Sequence, residues 1–111
     1  MTKSTFLQKL KTSPKNIKFS ETIAVIENTY DFTPSSFKNG NMFNEETQNQ
    51  GSCKVFSFAL EENLSKEATL ACFGEHYNNV LENPDGDDHQ NIRNFMKTGF
   101  EGLSFENKTL T

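Results

Sequence analysis

The sequence predicts a small all-α domain: a bundle of four to five short helices, with a long polar loop over residues 37–50 and an extended C-terminal tail. Three observations carry that expectation. Apolar residues recur at three- and four-residue spacing in several separate stretches. Pro, Gly, Asn or Ser fences each stretch. Eleven Phe against two Tyr and no Trp, in a chain only 33% hydrophobic with a mean hydropathy of -0.69, place the core in aromatic wedges between helices. A chain of 111 residues supports one such core, so residues 1–111 are expected to form a single domain.

Phe6, Leu7 and Leu10 share one stripe of a first helix from Thr5 to Lys11, with Ser4 as its N-cap. Thr12-Ser13-Pro14-Lys15-Asn16 breaks it. Ser20 then caps a second helix from Glu21 to Tyr30, with Glu21 at the positive end of its dipole and Phe19 folded onto Ile23 or Ala24. Asp31-Phe32-Thr33-Pro34-Ser35-Ser36 ends it. The polar loop that follows is anchored by Met42 and Phe43. Its Asn39-Gly40 pair between apolar residues offers an alternative, an α+β fold with a small hairpin.

Gly51 to Glu62 reads as a central third helix, burying Cys53, Phe56, Ala59 and Leu60, with Val55 and Phe58 widening the face. Ser65 caps a fourth helix that continues through Ala68, Cys72, Phe73, Tyr77 and Leu81 to about Asn83. After the turn at Pro84-Asp85-Gly86, Asp87 or Asp88 caps a fifth helix. Ile92, Phe95 and Met96 form its buried stripe, and Gly99 takes its left-handed C-terminal position. Phe100 to Phe105 alternates and lies extended against the body without a required strand partner.

Charge narrows the function classes. Residues 1–20 hold five lysines and no acid, a net +5, while the remaining 91 residues hold six basic and fifteen acidic side chains, a net -9. An acidic body without a basic stripe disfavours nucleic acid. No stretch approaches the ~20 apolar residues of a membrane helix, and the first residues lack the apolar run of a secretory signal. A cytoplasmic protein with no membrane association is therefore expected, with Cys53 and Cys72 as reduced, buried thiols. No cofactor motif is present, and the oligomeric state is unknown.

Tyr30-Asp31-Phe32-Thr33-Pro34, Gln50-Gly51-Ser52-Cys53-Lys54, Leu70-Ala71-Cys72-Phe73-Gly74 and Pro84-Asp85-Gly86-Asp87-Asp88-His89-Gln90-Asn91-Ile92-Arg93-Asn94-Phe95, taken in order, resemble the HopJ type III effector family over nearly the whole chain. The resemblance implies a bacterial protein with an effector or protein-interaction role, and export by a type III system as an alternative to a cytoplasmic life. The acid-free, Ser-, Thr- and Lys-containing first twenty residues are compatible with an export signal. The resemblance supplies no activity and no catalytic residues.

Five groupings of side chains have chemical capacity. Asp87, Asp88, His89, Asn91 and Arg93 are the polar candidates for a binding site after the acidic turn, to be weighed against a plain helix cap. Asp85, Asp87 and His89 are the alternative as ligands of a divalent ion in a metal-assisted hydrolase, where the ion would acidify a bound water and an aspartate take its proton. An EF-hand is excluded, because Gln90 stands at the sixth loop position counted from Asp85 and Met96 at the twelfth. Cys53, Cys72, His76 and His89 form a zinc-like set if the last three helices pack together, and Cys72 with His76 a nucleophilic pair at i, i+4. Last, Asn39, Glu45, Asn49 and Gln50 could face His89, Asn91 and Arg93 across a groove, with Arg93 clamping an oxyanion or pairing with a neighbouring acid.

Overall fold

A computed structural model describes all 111 residues, and it corrects the fold class: 57% of the chain is helical, but a three-stranded antiparallel sheet makes the fold α+β. The first helix, α1 (Lys3–Thr12), starts earlier than its apolar stripe because the Thr2 hydroxyl, not Ser4, accepts the Thr5 N–H at 3.1 Å. Phe6 and Leu10 are its buried residues. A 3-10 turn at Pro14–Asn16 leads into α2 (Phe19–Thr29). Ser20 caps nothing. The Glu21 carboxylate instead accepts the Lys18 N–H at 2.9 Å and the Lys9 ammonium at 2.9–3.0 Å.

The polar loop contains the hairpin that its Asn-Gly pair suggested. Strand β1 (Phe37–Asn39) pairs with β2 (Met42–Asn44), Phe37 opposite Asn44 and Asn39 opposite Met42. The two-residue turn is Gly40-Asn41 rather than Asn39-Gly40. Gly40, at φ +64°, supplies the left-handed first turn position, so Asn39 stays in the strand with its side chain buried. Phe37 anchors the hairpin to the core, whereas Phe43 is more than half exposed. The tail is a paired strand after all: following α6 (Gln90–Thr98) and a 3-10 turn, β3 (Leu103–Phe105) pairs with the other edge of β1 and gives the order β2-β1-β3. Farther on, the Thr33 N–H donates to the Thr109 carbonyl at 2.8 Å, and Leu110 enters the core.

Helix α3 (Gln50–Glu61) is central, burying Cys53, Val55, Phe56, Ser57, Phe58 and Ala59 against neighbours on two sides; Leu60 is exposed. The Phe56 ring lies 5.0 Å from Phe95, 5.4 Å from Phe73 and 6.1 Å from Phe37, so one side chain joins the sheet to α6 and to the turn at residues 72–74. Phe58 meets Phe6 and Tyr30 on the opposite side.

The expected fourth helix is two: α4 (Lys66–Ala71) and α5 (Glu75–Glu82). Gly74 ends the first and redirects the chain at φ +59°, ψ -128°. A side chain there would also meet the backbone, since an added Cβ would lie 2.5 Å from the Phe19 nitrogen and 2.8 Å from the Ile17 carbonyl oxygen. The break turns the start of α5 towards the starts of α2, α3 and α6.

Candidate functional site

Those helix starts enclose an open cleft of about 470 Å³. The first residue of α2, Phe19, forms one wall and the first turn of α3, at Gly51 and Ser52, another. His76 contributes from the first turn of α5, and Gln90, Asn91 and Ile92 from that of α6. Asn49 and His89, the residues immediately before α3 and α6, complete the rim with Met42 and Phe73.

Local backbone geometry leaves this cleft rich in donors. Asn49 and His89 enter their helices in the left-handed conformation, at φ 51° and φ 50°, and neither side chain caps the helix behind it. The main-chain N–H groups of Gly51, Ser52, Gln90 and Asn91 consequently have no acceptor within the protein. Expectation assigned the α6 cap to Asp87 or Asp88. Both are exposed in the turn outside it, where the Asp87 carbonyl accepts from the Gln90 side chain and the Asp88 carboxylate accepts from Arg93 Nη2 at 2.7 Å.

The histidines face each other, with ring centroids 5.1 Å apart. His76 also meets the Phe19 ring edge-on at 4.8 Å, and Phe19 stacks on Phe73 at 6.3 Å. Phe19 therefore lines the cleft. Gly51 makes room for it, since an added Cβ would sit 3.0 Å from the Phe19 ring.

Beneath the cleft lies a network of buried asparagines. Asn39 Nδ2 donates to both the backbone carbonyl (2.8 Å) and the side-chain oxygen (2.9 Å) of Asn91. Asn91 Nδ2 donates to Asn44 Oδ1 at 2.9 Å, which also accepts from Asn49 Nδ2 at 2.7 Å. The hairpin is thereby tied to the starts of both α3 and α6. Asn39 Oδ1 is buried without a donor.

Two carboxylates flank the histidines in sequence, and each has a hydrogen-bond donor of its own. Glu75 accepts the Phe19 N–H at 2.7 Å, and that bond holds its carboxyl below the usual glutamate range. The hydrogen bond from Arg93 does the same for Asp88, whose second oxygen lies 3.9 Å from His89 Nε2. None of the eleven residues lining the cleft is acidic, although fifteen of 111 in the chain are.

Of the residues nominated from sequence, His76, His89 and Asn91 reach the cleft together with Asn49. Asn39 lies underneath, while Glu45 and Gln50 are exposed and do not line it. Arg93 is not free to clamp a ligand: its guanidinium is almost fully buried and donates to the Asp88 carbonyl (2.6 Å), the Pro84 carbonyl (3.2 Å) and the Asp88 carboxylate. It staples the acidic turn to α6. Asp85 and Asp87 project into solvent, and no three His, Cys, Asp or Glu side chains gather as a metal site, so neither the Asp85, Asp87 and His89 set nor the Cys53, Cys72, His76 and His89 set is assembled. The break at Gly74 places Cys72 in the core and His76 in the cleft. Burial pushes the Cys72 thiol up to about 12 and raises Cys53 as well, which removes the thiolate a nucleophilic pair requires. Gly51, Ser52, Phe19, Phe73 and Gln90 escaped the sequence reading. Their shared signal is position in or beside the first turn of a helix, and that becomes a site only when several helices converge.

Comparisons agree with this architecture over the full length. A crystal structure described as that of "unknown function protein VPA0580" is similar at 55% identity and a TM-score of 0.97, covering 100% of this chain and 93% of that one. No curated protein matches. No helix is long and apolar enough to cross a membrane. A family model described as HopJ type III effector protein matches residues 3–110, and the chain belongs to that family.

Proposed function

We propose that this HopJ-family protein has a non-enzymatic interaction role and engages its partner through the cleft at the helix starts. The observation that carries the reading is a division of labour among its reactive groups. The thiols are buried and protonated and Arg93 is held by the acidic turn, whereas the aromatic wall, the two imidazoles and the unpaired main-chain donors stand open in one concavity. That surface suits recognition more than turnover.

A fragment titration followed by amide NMR tests it. Neutral aromatic and polar fragments should shift Gly51, Ser52, His76, Gln90 and Asn91 first and be recovered unchanged after prolonged incubation. Shifts confined to another face, or conversion of a fragment, would overturn the reading.

Export by a type III system is the accompanying proposal from family membership. Phe6, Leu10 and Ile17 of the first twenty residues are buried, so presenting that segment to a secretion channel requires the domain to unfold. Residues 1–20 fused to a reporter, in a strain with a type III apparatus, should be exported; retention in the cell would remove the proposal.

A further inference from the structure

Within that reading of the cleft as the binding surface, on which this inference rests, the geometry points to a ligand class: a phosphate-type oxyanion, carried on a side chain of the partner protein. Nine of the eleven lining residues occupy the N-cap or first turn of a helix, and they come from four different helices. Each helix start carries partial positive charge and N–H groups that its own backbone cannot satisfy. At the starts of α2 and α5 those groups are taken, the Phe19 N–H by Glu75 and the His76 and Tyr77 N–H groups by the Phe73 and Gly74 carbonyls, whereas at the starts of α3 and α6 they stay free. Two free helix starts on one concavity add their fields in a single place, and the oxyanion is the complementary ligand.

Side-chain composition points the same way independently of the backbone. The chain is acidic, with a formal net charge of -4, yet the cleft carries no carboxylate and holds the only two histidines. Their ring centroids are 5.1 Å apart, close enough for both to reach one bound group. Of the nearest acids, Glu75 accepts the Phe19 N–H and Asp88 is held by Arg93 with its second oxygen 3.9 Å from His89 Nε2, and neither accepts from the free N–H groups at the starts of α3 and α6. The unpaired N–H groups of Gly51 and Ser52 on one side and of Gln90 and Asn91 on the other supply direct hydrogen bonds.

The apolar wall decides how the anion is presented. Phe19, Phe73 and Ile92 line a cavity of about 470 Å³, several times the space one phosphate fills. A free phosphate would leave that surface wet, whereas a phosphorylated side chain would cover it with its carrier.

The test uses the full chain, with amide NMR titrations at constant ionic strength. The probes are inorganic phosphate, a short phosphoserine peptide, its unphosphorylated counterpart and sodium chloride. Saturable shifts are expected at Gly51, Ser52, Gln90 and Asn91 with phosphate and not with chloride, and the phosphopeptide should bind at least about tenfold more tightly than phosphate. Ser52→Asp places a carboxylate in the first turn of α3, where it favours the helix, so this variant should fold with an unchanged or higher Tm and bind phosphate at least about tenfold more weakly. His76→Gln should weaken binding to a smaller extent.

Equal binding by the unphosphorylated peptide, unsaturable shifts, or an unaffected Ser52→Asp variant would overturn the oxyanion assignment. A phosphopeptide no tighter than phosphate would overturn the side-chain carrier. If the neutral fragments still shift the same amides, the oxyanion assignment alone has failed. If they do not, the interaction reading has failed with it.

Discussion

The phenylalanine core and the asparagine network beneath the cleft are both buried, and they hold the molecule by opposite rules. Around Phe56, three ring contacts to β1, to the segment before α5 and to α6 contribute separately, because dispersion and burial are nearly indifferent to direction. Around Asn91, each bond requires a donor and an acceptor in the right place, and removing one partner leaves another polar group stranded. The first region makes the fold stable. The second fixes where the starts of α3 and α6 lie, and so shapes the cleft.

That contrast can be broken in stages. Phe56→Ala should produce the largest loss, about 3–5 kcal/mol in denaturant unfolding, spread over the whole domain because the cavity opens at its centre. An effect below 1 kcal/mol would show that the ring contacts are not the organising core. Asn91→Ala should cost less globally, about 1–3 kcal/mol. Its signature should be local: faster amide exchange in the hairpin and the start of α6, with α1 and α2 still protected. Uniform loss of protection would erase the distinction drawn between the two regions.

A double-mutant cycle sharpens the same point. Asn44→Ala and Asn91→Ala touch one network and should couple by about 0.5–3 kcal/mol, whereas Asn91→Ala with Leu10→Ala, in separate parts of the fold, should be additive within about 0.5 kcal/mol.

The smallest effect concerns Glu75, which joins the starts of α5 and α2 by accepting the Phe19 N–H. Because its folded pKa is depressed below 4.5, its contribution is complete above that value and is lost as pH falls through the folded pKa. Glu75→Gln should therefore lower Tm slightly at pH 7, and the difference from the unaltered protein should vanish once the pH has fallen below the folded pKa. A difference that persists unchanged at low pH would mean that packing, not the carboxylate, supplies the contribution.

How much of this was legible follows the same division. Helix existence could be read wherever burial is apolar and periodic: Phe6 and Leu10 place α1, and Cys53, Phe56 and Ala59 place α3, within a residue or two at most ends. Patterning failed where a polar residue is buried or an apolar one is exposed. Asn91 and Arg93 read as polar binding candidates, yet both are buried, because β1 and β2 bring amides to one and the acidic turn brings carbonyls to the other. Phe43 and Leu60 look like core residues and face solvent. Each depends on a neighbour from a distant part of the chain, and periodicity within one segment carries no record of that neighbour.

The sequence by itself determined the family, from its motifs, and the Phe-rich interior with most of the helices that bury it, because these follow from composition and local repeat. Only the tertiary structure decided that the tail is a strand, that one expected helix is two, and that four helix starts meet around two histidines. The pairing of β3 with β1 spans more than sixty residues. The break at Gly74 reflects a backbone approach by Ile17 and Phe19 more than fifty residues away. The cleft exists because local segments are stopped and aimed by these long-range contacts, whose free energy is realised only when the chain closes on itself.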